Sequence, residues 1–544
     1  MSQVTAINNI LYGGKIEDGI TKDAKSMGQF VLDRFKEIEN HVILVDGLNG
    51  TEVTAKQFRA MIIDFAINLR ALGVKEGVSV GICCENRLEF ACTMYGVMLL
   101  NATLAPCNVT YTERELHHAF SLSKPKVIFA STATVKKVAK VAEKNSFIKH
   151  IVCFGEVPPL KHIIPYSKFL KTVKDKPKGD FKVKPTNVRE NVLLILCSSG
   201  TTGLPKGVQL TQNNVLRTAD GQFESRGILQ EATVLSVIPW FHAYGCLTLM
   251  MLTAIGARVV FLPKFQEHHF LNCIQQFQVD AAFMVPPLMV FLAKHPMIDN
   301  YDLSSLKILM CGAASLSKET ANAVQERIGV PLIRQGYGLS EATLSLTVQS
   351  DGHDTPGSVG TVRADTYAKV IDTETGKPLG PNQRGELCFK GDVIMKGYVG
   401  DKKATEQTID SDGWLHTGDI GYYDEEFNFF VVDRIKELIK YKGFQVPPAE
   451  IEALLLTHPK IKDAAVIGIP DEASGELPMA FVVKHGTDNL TQKEVMDFIS
   501  ERASPAKRLH GGVRFIDEIP KNPTGKILRR VLRDMVKNEI KSKL

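Results

Sequence analysis

The stretch of the chain best suited to chemistry is the segment 192–207, which reads VLLILCSSGTTGLPKG. It opens with an apolar run, residues 192–196, that predicts a fully buried strand. Small and hydroxyl-bearing residues follow, which let backbone amides approach an anion and add neutral donors, and Lys206 adds a cation suited to a polyphosphate. The sequence does not match GxxxxGK[ST], because no glycine directly precedes the lysine and a glycine, not Ser or Thr, follows it. We therefore expect a phosphate-binding loop, with a mobile surface loop as the alternative.

Two later strand ends suit a nucleotide. Residues 306–311 read as a strand and lead into GAA, residues 312–314, a turn of small residues against which a flat ring can lie. Residues 331–334 begin another strand that leads into QGYGLSE, residues 335–341. Open α/β sheets bind ligands at such strand ends. In this heptapeptide an aromatic ring can stack on a base, a serine can reach a phosphate and a glutamate can hold Mg²⁺ through its oxygens, although a tight turn with an exposed acid is the alternative.

Three further candidate functional residues lie singly in separate short segments. Asp419 lies near a strand end in GWLHTGDIG, where a carboxylate can accept both hydroxyls of a ribose. His242 lies among aromatic residues in VIPWFHAYG, where a packed core histidine is the common alternative to a catalytic one. Lys526 lies on the turn-bound loop IPKNPTGKI, where a lysine is normally solvated unless the loop can swing against a ligand.

The composition excludes several classes of function. At 544 residues the chain is long for one hydrophobic core, and a net charge of +5 gives no case for a nucleic-acid partner. The ten cysteines are scattered without a CxxC pair, so we expect reduced, mostly buried thiols and no zinc site. The first residues lack the features of a secretory signal, and the longest apolar stretch, 246–257, is too short to span a bilayer. The C-terminal tripeptide Ser542-Lys543-Leu544 has the form of a peroxisomal address, so we expect an import receptor to bind it and the protein to be peroxisomal, with a chance ending as the alternative.

The order of the segments predicts an α/β domain followed by smaller units. Helical and strand-like segments alternate before a polar, proline-punctuated loop at 171–190, as in a domain with a parallel sheet. Glycine turns between 357 and 435 predict a β-rich subdomain, and the charged stretch after it predicts a domain boundary. The individual predictions are helices at 30–38, 55–72, 448–456 and 491–502, and strands at 78–82, 126–130, 464–468 and 479–484.

Five of these segments together resemble one family. The motifs SSGTTGLPKG, YGLSE, GWLHTGD, VDRIKELIKYKGFQV and PTGK, in this order, closely resemble those of the adenylate-forming superfamily of acyl-CoA synthetases, adenylation domains and luciferases. The resemblance covers essentially the whole chain. It is strongest to the branch of insect luciferase-like acyl-CoA ligases, beetle luciferases and 4-coumarate-CoA ligases, which VPPAEIEALLL and the terminal SKL also fit.

The resemblance implies a fold and a reaction. The implied α/β fold is a large N-terminal domain, residues 1–435, of two packed α/β sheets plus a β-barrel, with a small mobile α+β lid at 436–544 that turns about a hinge at Lys436. The implied chemistry joins a carboxylate to ATP with Mg²⁺, giving acyl-AMP and pyrophosphate, and then transfers the acyl group to coenzyme A with release of AMP.

The resemblance also assigns roles to residues. Lys526 and Thr202 are implied to stabilise the transition state of the first step, with Mg²⁺ on Glu341 as the metal ligand. After the lid rotates, Lys440, Lys442 and Gly443 line the coenzyme A channel, while His242 gates between the half-reactions. The residues implied to contact ATP or AMP are Ser198, Ser199, Gly200, Thr201, Thr202, Gly203, Lys206, Gly312, Ala313, Ala314, Gln335, Gly336, Tyr337, Ser340, Asp419, Arg434 and Lys526.

The acyl pocket implied by the resemblance decides between a ligase and a luciferase. Its residues are Thr218, His242, Tyr244, Leu344 and Ser345. Beetle luciferases have paired histidines where this chain has Phe241-His242, serine in place of Leu344 and arginine in place of Thr218, so the pocket here is more apolar. We therefore expect a medium- or long-chain fatty acid as substrate, with a luciferase and a 4-coumarate-type aryl ligase as the alternatives.

Overall fold

The computed structural model describes residues 4–16, 19–157, 160, 162–174, 181–198, 205–222, 229–314, 316–351, 355–442, 444–471, 473–486, 489–522 and 525–543, without the side chains of 221, 222 and 539–543. Within these residues the chain forms fifteen α-helices and four principal sheets. The α/β class and the two-sheet N-terminal architecture expected from the sequence are confirmed.

The first large sheet carries the phosphate segment. Its central strands are apolar and parallel, as in Val127–Ser131, where all five residues are buried. Burial on both faces is typical of strands covered by helices. The sheet is mixed at one edge, where Lys206–Thr211 runs antiparallel to Val192–Ser198. In sheet order the strands are Gly397–Tyr398, Lys206–Thr211, Val192–Ser198, Thr103–Pro106, Ser79–Cys83, Val127–Ser131, His150–Phe154 and Ile163–Pro165.

The second large sheet carries the strand ends predicted to hold a nucleotide. Strands Ile308–Cys311 and Leu332–Tyr337 are parallel neighbours, so the segments that follow them emerge at the same edge. In sheet order the strands are Thr361–Val362, Thr347–Val348, Leu332–Tyr337, Ile308–Cys311, Ala281–Met284, Thr233–Ser236, Arg258–Phe261, Val42–Asp46 and Glu52–Thr54.

The two large sheets share one hydrophobic core. Helix Ala243–Ile255 is buried along its length except at Tyr244, because its residues are apolar on every side. This helix contains most of the apolar stretch that the sequence suggested was too short for a bilayer, and no helix among the described residues is long and apolar enough to cross a membrane. The N-terminal helices are Met27–Glu37, Ala55–Ala71, Leu88–Met98, Glu113–Ser123, Val135–Ala142, Tyr166–Phe169, Gln212–Gln222, Ala243–Ile255, Glu267–Phe277, Pro286–Lys294, Lys318–Ile328 and Lys402–Thr408.

The β-rich subdomain is a six-stranded antiparallel sheet. The residues 5–12, which the sequence analysis left within the α/β segment, add two strands to it, so this unit is not continuous in sequence. Its strands are, in sheet order, Thr5–Ile7, Ile10–Tyr12, Thr366–Ile371, Gly385–Gly391, Leu415–Tyr423 and Phe429–Arg434.

The C-terminal unit has its own sheet and its own cores. Its helix Pro448–Leu456 has the predicted bounds, and Gln492–Arg502 begins with a capping box in which Thr491 and Glu494 bond each other's backbone amides. A third helix, Arg529–Lys543, ends the described chain. The strands are Phe444–Val446, Ile439–Tyr441, Gly475–Lys484 and Ile461–Asp471, with Val513–Phe515 paired to Gly475–Lys484.

The remaining local predictions are also confirmed. The helices expected at 30–38 and 55–72 are Met27–Glu37 and Ala55–Ala71, which differ only at their ends. All ten cysteines are unpaired and nine of them are buried, as scattered thiols without a CxxC pair suggested.

Candidate active site

The carboxylate of Glu341 lies at the centre of the phosphate region. Glu341 is in a short 3-10 turn directly after strand Leu332–Tyr337, and it is only 8% exposed. The hydroxyls of Ser198 and Tyr398 both donate to its Oε1 atom, each at 2.9 Å. Among the described residues no hydrogen bond reaches Oε2. A fixed carboxylate with one oxygen remaining suits Mg²⁺, which prefers oxygen ligands.

Lys206 approaches this carboxylate from the neighbouring strand. The sequence analysis placed it in the loop, but Lys206 begins a strand and pairs with Ser198 across an antiparallel ladder. Its Nζ atom lies 4.6 Å from the centroid of the Tyr398 ring, a cation–π contact. Tyr398 therefore contacts both a phosphate-region cation and the proposed metal ligand, a role that no motif in the sequence indicated.

The loop between these two strands is only partly described. Ser199, Gly200, Thr201, Thr202 and Gly203 lie outside the described residues, so their predicted contacts with ATP stay predictions. At the end of the loop, His118 Nε2 donates to the carbonyl of Pro205 at 2.8 Å. His118 lies in no motif that singled it out in the sequence.

Asp419 is fixed by two partners from different motifs. The Tyr337 hydroxyl donates to its Oδ2 atom at 2.6 Å, and Arg434 Nε lies 3.2 Å from Oδ1. Asp419 is 5% exposed; burial raises its pKa, while Arg434 opposes that change. Because Asp419 and Arg434 are directly paired on adjacent strands, the predicted ribose contacts lie together.

Lys526, from the C-terminal unit, faces the region of Asp419 and Arg434. Its own backbone amide donates to Asn522 Oδ1 at 2.8 Å, and a bridge between Lys521 and Ile527 closes the loop that presents it. Burial lowers the pKa of Lys526 to about 8, and the charge of Arg434 lowers it further while Asp419 raises it. The charges of Asp419 and Arg434 therefore both act on the ammonium group of Lys526.

This environment predicts a basic limb in the pH profile. The charged lysine is the useful form, and its folded-state pKa of about 8 is below its ordinary value. We therefore expect kcat/KM for ATP, which reports the free enzyme, to fall as pH rises through about 8. In Lys526→Arg the guanidinium stays charged, so this limb should vanish even if the rate is lower. A wild-type profile that stays flat to pH 10 would contradict the assignment.

The loop bearing Lys526 docks tightly on the N-terminal domain. Gly525 has φ +78°, and a Cβ atom there would lie 2.8 Å from Cγ of Pro287, at the start of helix Pro286–Lys294. At the end of that helix, Lys294 Nζ donates to the carbonyls of Leu456 and Ile461 at 2.8 and 3.2 Å. The lid is therefore held at both ends of one helix.

We expect Gly525→Ala to slow adenylate formation by about tenfold, equivalent to about 1.4 kcal/mol of lost docking. The added methyl has no room against Pro287 in this lid position. The matched control is Gly376→Ala, which has a similar φ of +69° but no atom within 4 Å, so it carries only the backbone strain of about 1–2 kcal/mol. Equal effects of the two variants on adenylation would show that the docked position is not the active one.

The residues predicted to frame adenine meet the acyl-pocket tyrosine. A Cβ atom on Gly312 would lie 3.5 Å from the carbonyl of Gly336 and 3.6 Å from the Tyr244 ring. The Tyr244 hydroxyl donates to the carbonyls of Met284 and Met310, which fixes it across the strand ends. Of the other predicted nucleotide contacts, Ala313 adopts φ +69°, Ala314 follows it, Gln335 is buried in the neighbouring strand and Ser340 begins the turn that holds Glu341.

The predicted acyl-pocket residues Thr218 and Ser345 are joined through a buried arginine. Arg363 donates to the Ser345 hydroxyl at 3.2 Å and to the carbonyl of Thr218 at 3.3 Å. The Thr218 hydroxyl in turn donates to the carbonyl of Thr343 at 3.0 Å. Sequence reasoning missed Arg363, because it lies in no recognised motif.

Leu344 and His242 complete this region. Leu344 has φ +103°, and its carbonyl lies so near Gly338 that no side chain fits there. The buried Nε2 atom of His242 has no hydrogen-bond partner among the described residues, and burial lowers the pKa of the ring to about 4. A neutral histidine with an unused nitrogen, 4.7 Å from the Phe241 ring, fits a gate beside an apolar substrate.

The described residues of the predicted coenzyme A face lie at the surface of the lid or next to its own residues. Lys440 is exposed, and Lys442 has φ +48° with its Nζ atom 5.5 Å from the Tyr441 ring centroid. Gly443 lies outside the described residues. Lys436, the predicted hinge, is exposed in the turn between Arg434 and Ile439. Lys526 and Lys440 thus occupy different environments on one lid, as a two-position mechanism requires.

Comparisons with known proteins identify the family of the chain. Residues 33–399 match the family model of the AMP-binding enzyme, and residues 450–526 match that of the AMP-binding enzyme C-terminal domain. The chain is 41% identical to luciferin 4-monooxygenase of Nipponoluciola cruciata over 98% of both chains. It is 35% identical to 4-coumarate-CoA ligase 1 of Narcissus pseudonarcissus, also over 98% of both.

A solved structure has the same fold. The anthranilate CoA ligase in complex with anthranoyl-AMP superposes with a TM-score of 0.86 at 23% identity, over 95% of this chain and 98% of that one. The chain therefore belongs to the AMP-binding enzyme family, as an adenylate-forming enzyme of the acyl- or aryl-CoA ligase type.

Proposed function

We propose that the enzyme is an AMP-forming fatty acyl-CoA synthetase that uses ATP, Mg²⁺ and coenzyme A to activate a medium- or long-chain fatty acid. The observation that carries the chemistry is the docking of the loop that presents Lys526 against Pro287 of the N-terminal domain, where the charges of Asp419 and Arg434 act on its ammonium. The apolar residues around His242 support the choice of acid.

In the first step a carboxylate oxygen of the acid attacks the α-phosphorus of ATP. A P–O bond to the acid forms, the bond to the β-phosphate breaks, and pyrophosphate leaves. Two anions must meet, so positioning and cationic charge dominate the barrier. Lys526 supplies that charge from the lid, and Asp419 holds the ribose. We assign the pyrophosphate portion to Lys206 and, from the sequence alone, to the residues that follow Ser198. Glu341 would hold Mg²⁺, which would supply positive charge to neutralise phosphate oxygens.

In the second step the thiolate of coenzyme A attacks the acyl carbon and AMP leaves. The lysine that helped the first step is no longer needed, and rotation of the lid about Lys436 brings the face with Lys440 and Lys442 to the site. Gating by such a domain movement is common in enzymes with two half-reactions. The neutral ring of His242 stands at the acyl pocket between the two steps.

The choice of a fatty acid depends on the pocket. Leu344 packs against the same hydrophobic core as Tyr244, and Phe241 is buried in it. A hydroxylated or heterocyclic acid needs hydrogen-bond partners in its pocket, whereas an alkyl chain needs only apolar contact. Thr218 uses its hydroxyl on a backbone carbonyl, which leaves it without a donor for a polar substrate.

The second candidate is a luciferase-type monooxygenase or an aryl-CoA ligase of the 4-coumarate type. The identities of 41% and 35% to proteins with those names favour these candidates. All three activities share acyl-adenylate formation. The acid separates the two ligases, and a luciferase differs also in its second step, in which O₂ and not coenzyme A reacts with the adenylate.

The test is AMP release with ATP, Mg²⁺ and coenzyme A over a panel of fatty, hydroxycinnamic and luciferin acids. The proposal predicts the highest kcat/KM with fatty acids of medium or long chain. Activity restricted to the aromatic acids would overturn the choice of substrate while leaving adenylation intact.

We expect Leu344→Ser to raise light output with luciferin and ATP, because a hydroxyl here adds a hydrogen-bonding group to an apolar pocket. The change in kcat/KM should be about tenfold, the scale of one uncharged hydrogen bond. Leu346→Ser, two residues away and fully buried, is the control for a general loss of packing. Unchanged luminescence in Leu344→Ser would remove this residue from the pocket.

We also propose a peroxisomal location, with the import receptor binding Ser542-Lys543-Leu544. A fluorescent fusion that keeps these residues at its C-terminus should enter peroxisomes. The same fusion lacking the last three residues should stay outside, and equal import of both would contradict the proposal.

A further inference from the structure

A bulge in the β-rich subdomain presents Asp419. Strands Gly385–Gly391 and Leu415–Tyr423 are paired, with Cys388 opposite His416 and Glu386 opposite Ile420. Between these two pairs, one residue lies on strand Gly385–Gly391 but three lie on strand Leu415–Tyr423. Residues 417–419 therefore leave the regular ladder, and such bulges re-aim a side chain. Here the re-aimed side chain is the carboxylate that meets Tyr337.

A bulge leaves backbone groups without ladder partners, and side chains must satisfy them. Glu386 Oε1 accepts the backbone N–H of Gly418 at 3.0 Å. The Thr417 hydroxyl accepts the N–H of Asp419 at 3.1 Å and donates to the carbonyl of Leu387 at 2.8 Å. Glu386 is thus the charged acceptor that holds the bulge in shape.

The same bulge touches the segment that leads to the lid. The carbonyl of Gly418 accepts the backbone N–H of Ile435 at 2.9 Å, one residue before the predicted hinge. Gly418 itself adopts φ +70°, which favours glycine. The conformation that Glu386 fixes is therefore shared by Asp419 and by the chain entering the lid.

His416 fixes Glu386 in turn. Its Nδ1 atom lies 3.0 Å from Glu386 Oε2, and its Nε2 atom lies 3.4 Å from Asp410 Oδ2. Hydrogen bonds to the Cys388 sulfur and to Glu386 raise the pKa of His416 to about 10. An imidazolium that donates to two carboxylates holds them in fixed positions, because each ring N–H already has a protein partner and needs no water.

We propose that Glu386 and His416 are positioning residues for the nucleotide ribose, because together they hold the 417–419 bulge that aims Asp419. Neither side chain is placed to contact the reacting atoms; both act through the Asp419 carboxylate. The proposal rests on the assignment of Asp419 to the ribose.

The cluster also admits a different interpretation. Glu386, Cys388 and His416 offer three ligand atoms within 4.8 Å of one another, a set that a metal ion can use. In the present arrangement both imidazole nitrogens and both Glu386 oxygens have partners, which favours a closed ion-pair network. Metal content is therefore measured alongside the kinetics.

The experiment measures kcat/KM for ATP and for 2′,3′-dideoxyATP in the purified full-length enzyme and its variants. Glu386→Ala should raise the KM for ATP about tenfold, the scale of one lost charge-assisted hydrogen bond, with the KM for the acid unchanged. Its kcat/KM for the dideoxy nucleotide should stay near wild type, because that substrate has no ribose hydroxyls to hold. Glu386→Gln keeps an acceptor for Gly418, so its KM for ATP should lie between those of the wild type and Glu386→Ala. His416→Gln should resemble Glu386→Gln.

The matched control is Asp424→Ala. Asp424 lies in the turn between strands Leu415–Tyr423 and Phe429–Arg434, at the far end of Leu415–Tyr423 from the bulge. Asp424 also holds a backbone turn, since it accepts the N–H groups of Glu426 and Asn428. Both alanine variants lose a turn-holding carboxylate, so similar melting temperatures with a raised ATP KM only in Glu386→Ala support the proposal. Equal losses with ATP and the dideoxy nucleotide, or no change, would overturn it, as would one tightly bound metal ion per chain that is lost in His416→Gln.

Asp419→Ala tests the ribose role of Asp419 separately from the positioning role proposed for Glu386 and His416. If Asp419→Ala loses the preference for ATP over the dideoxy nucleotide, the ribose assignment stands, and the Glu386→Ala result then decides the positioning role. The double variant should be no worse than Asp419→Ala alone, because both changes remove one function. An Asp419→Ala enzyme that keeps the full preference would overturn the ribose assignment itself.

Discussion

Replacing Lys526 with alanine is expected to lower acyl-adenylate formation by about 10²- to 10³-fold, the usual effect of removing one preorganised charge or donor from a transition state. Thioester formation from supplied acyl-AMP and coenzyme A should stay near the wild-type rate. The physical reason is that the charges of Asp419 and Arg434 act on Lys526 when the lid is docked, where its ammonium stabilises the charge of the triphosphate as pyrophosphate leaves. In the second step the lid has rotated and Lys526 has left the site.

The matched control for this variant is Lys521→Ala. Lys521 lies on the same loop, but its Nζ atom pairs with Asp463 of the lid itself at 2.6 Å. Its loss should lower the melting temperature slightly and leave the step that forms acyl-AMP within about threefold of wild type. If Lys526→Ala and Lys521→Ala slow both half-reactions alike, the lysine acts through lid stability and not on the reaction.

Replacing Lys440 with alanine should have the opposite effect. We expect adenylate formation to be unchanged and thioester formation from supplied acyl-AMP to fall by about 10²-fold, the scale of lost positioning in an active site. Lys440 is exposed in the docked lid, and its side chain forms no hydrogen bond or ion pair with another described residue, so its loss should not disturb the first step. Its effect should arise only after the lid has rotated.

Lys462→Ala is the control for Lys440→Ala. Lys462 is an exposed lysine on the lid strand Ile461–Asp471, and it lies in no motif of the family. Both half-reactions should proceed normally in that variant. Loss of adenylate formation in Lys440→Ala would contradict the division of labour between the two lid faces.

Much of the fold follows from local sequence. The alternation of apolar strands and helices up to residue 190 predicts a parallel sheet, and the buried run at 192–196 opens the strand Val192–Ser198. Helix Pro448–Leu456 has the predicted bounds because proline is favoured in the first turn of a helix. These features depend on periodicity and capping over a few residues, which a single sequence displays.

The contacts that complete the site could not be predicted from periodicity or capping in the local sequence. Tyr398 contacts Glu341 across 57 residues, and His118 reaches Pro205 across 87 residues. Glu386 supports the bulge before Asp419 although neither its neighbours nor its spacing distinguish it from a surface acid. Such pairs depend on strand order and register, and no local pattern encodes either.

The placement of Lys206 illustrates the same limit. A Pro-Lys-Gly sequence after small residues indicates a loop, yet the lysine begins a strand because its partner strand Val192–Ser198 continues the ladder to Ser198. The N-terminal residues 5–12 likewise belong to the β-rich subdomain because Tyr12 pairs with Tyr367, a partner 355 residues away by sequence number. Tertiary pairing overrides local propensity in both cases.

The most direct test is exchange of labelled pyrophosphate into ATP, measured without coenzyme A over the acid panel. We predict exchange that depends on a medium- or long-chain fatty acid, that requires Mg²⁺, and that falls by at least about 10²-fold in Lys526→Ala. Exchange that is absent with every acid in folded wild-type enzyme, or that persists at the wild-type rate in Lys526→Ala, would contradict the assignment of Lys526 to adenylate formation.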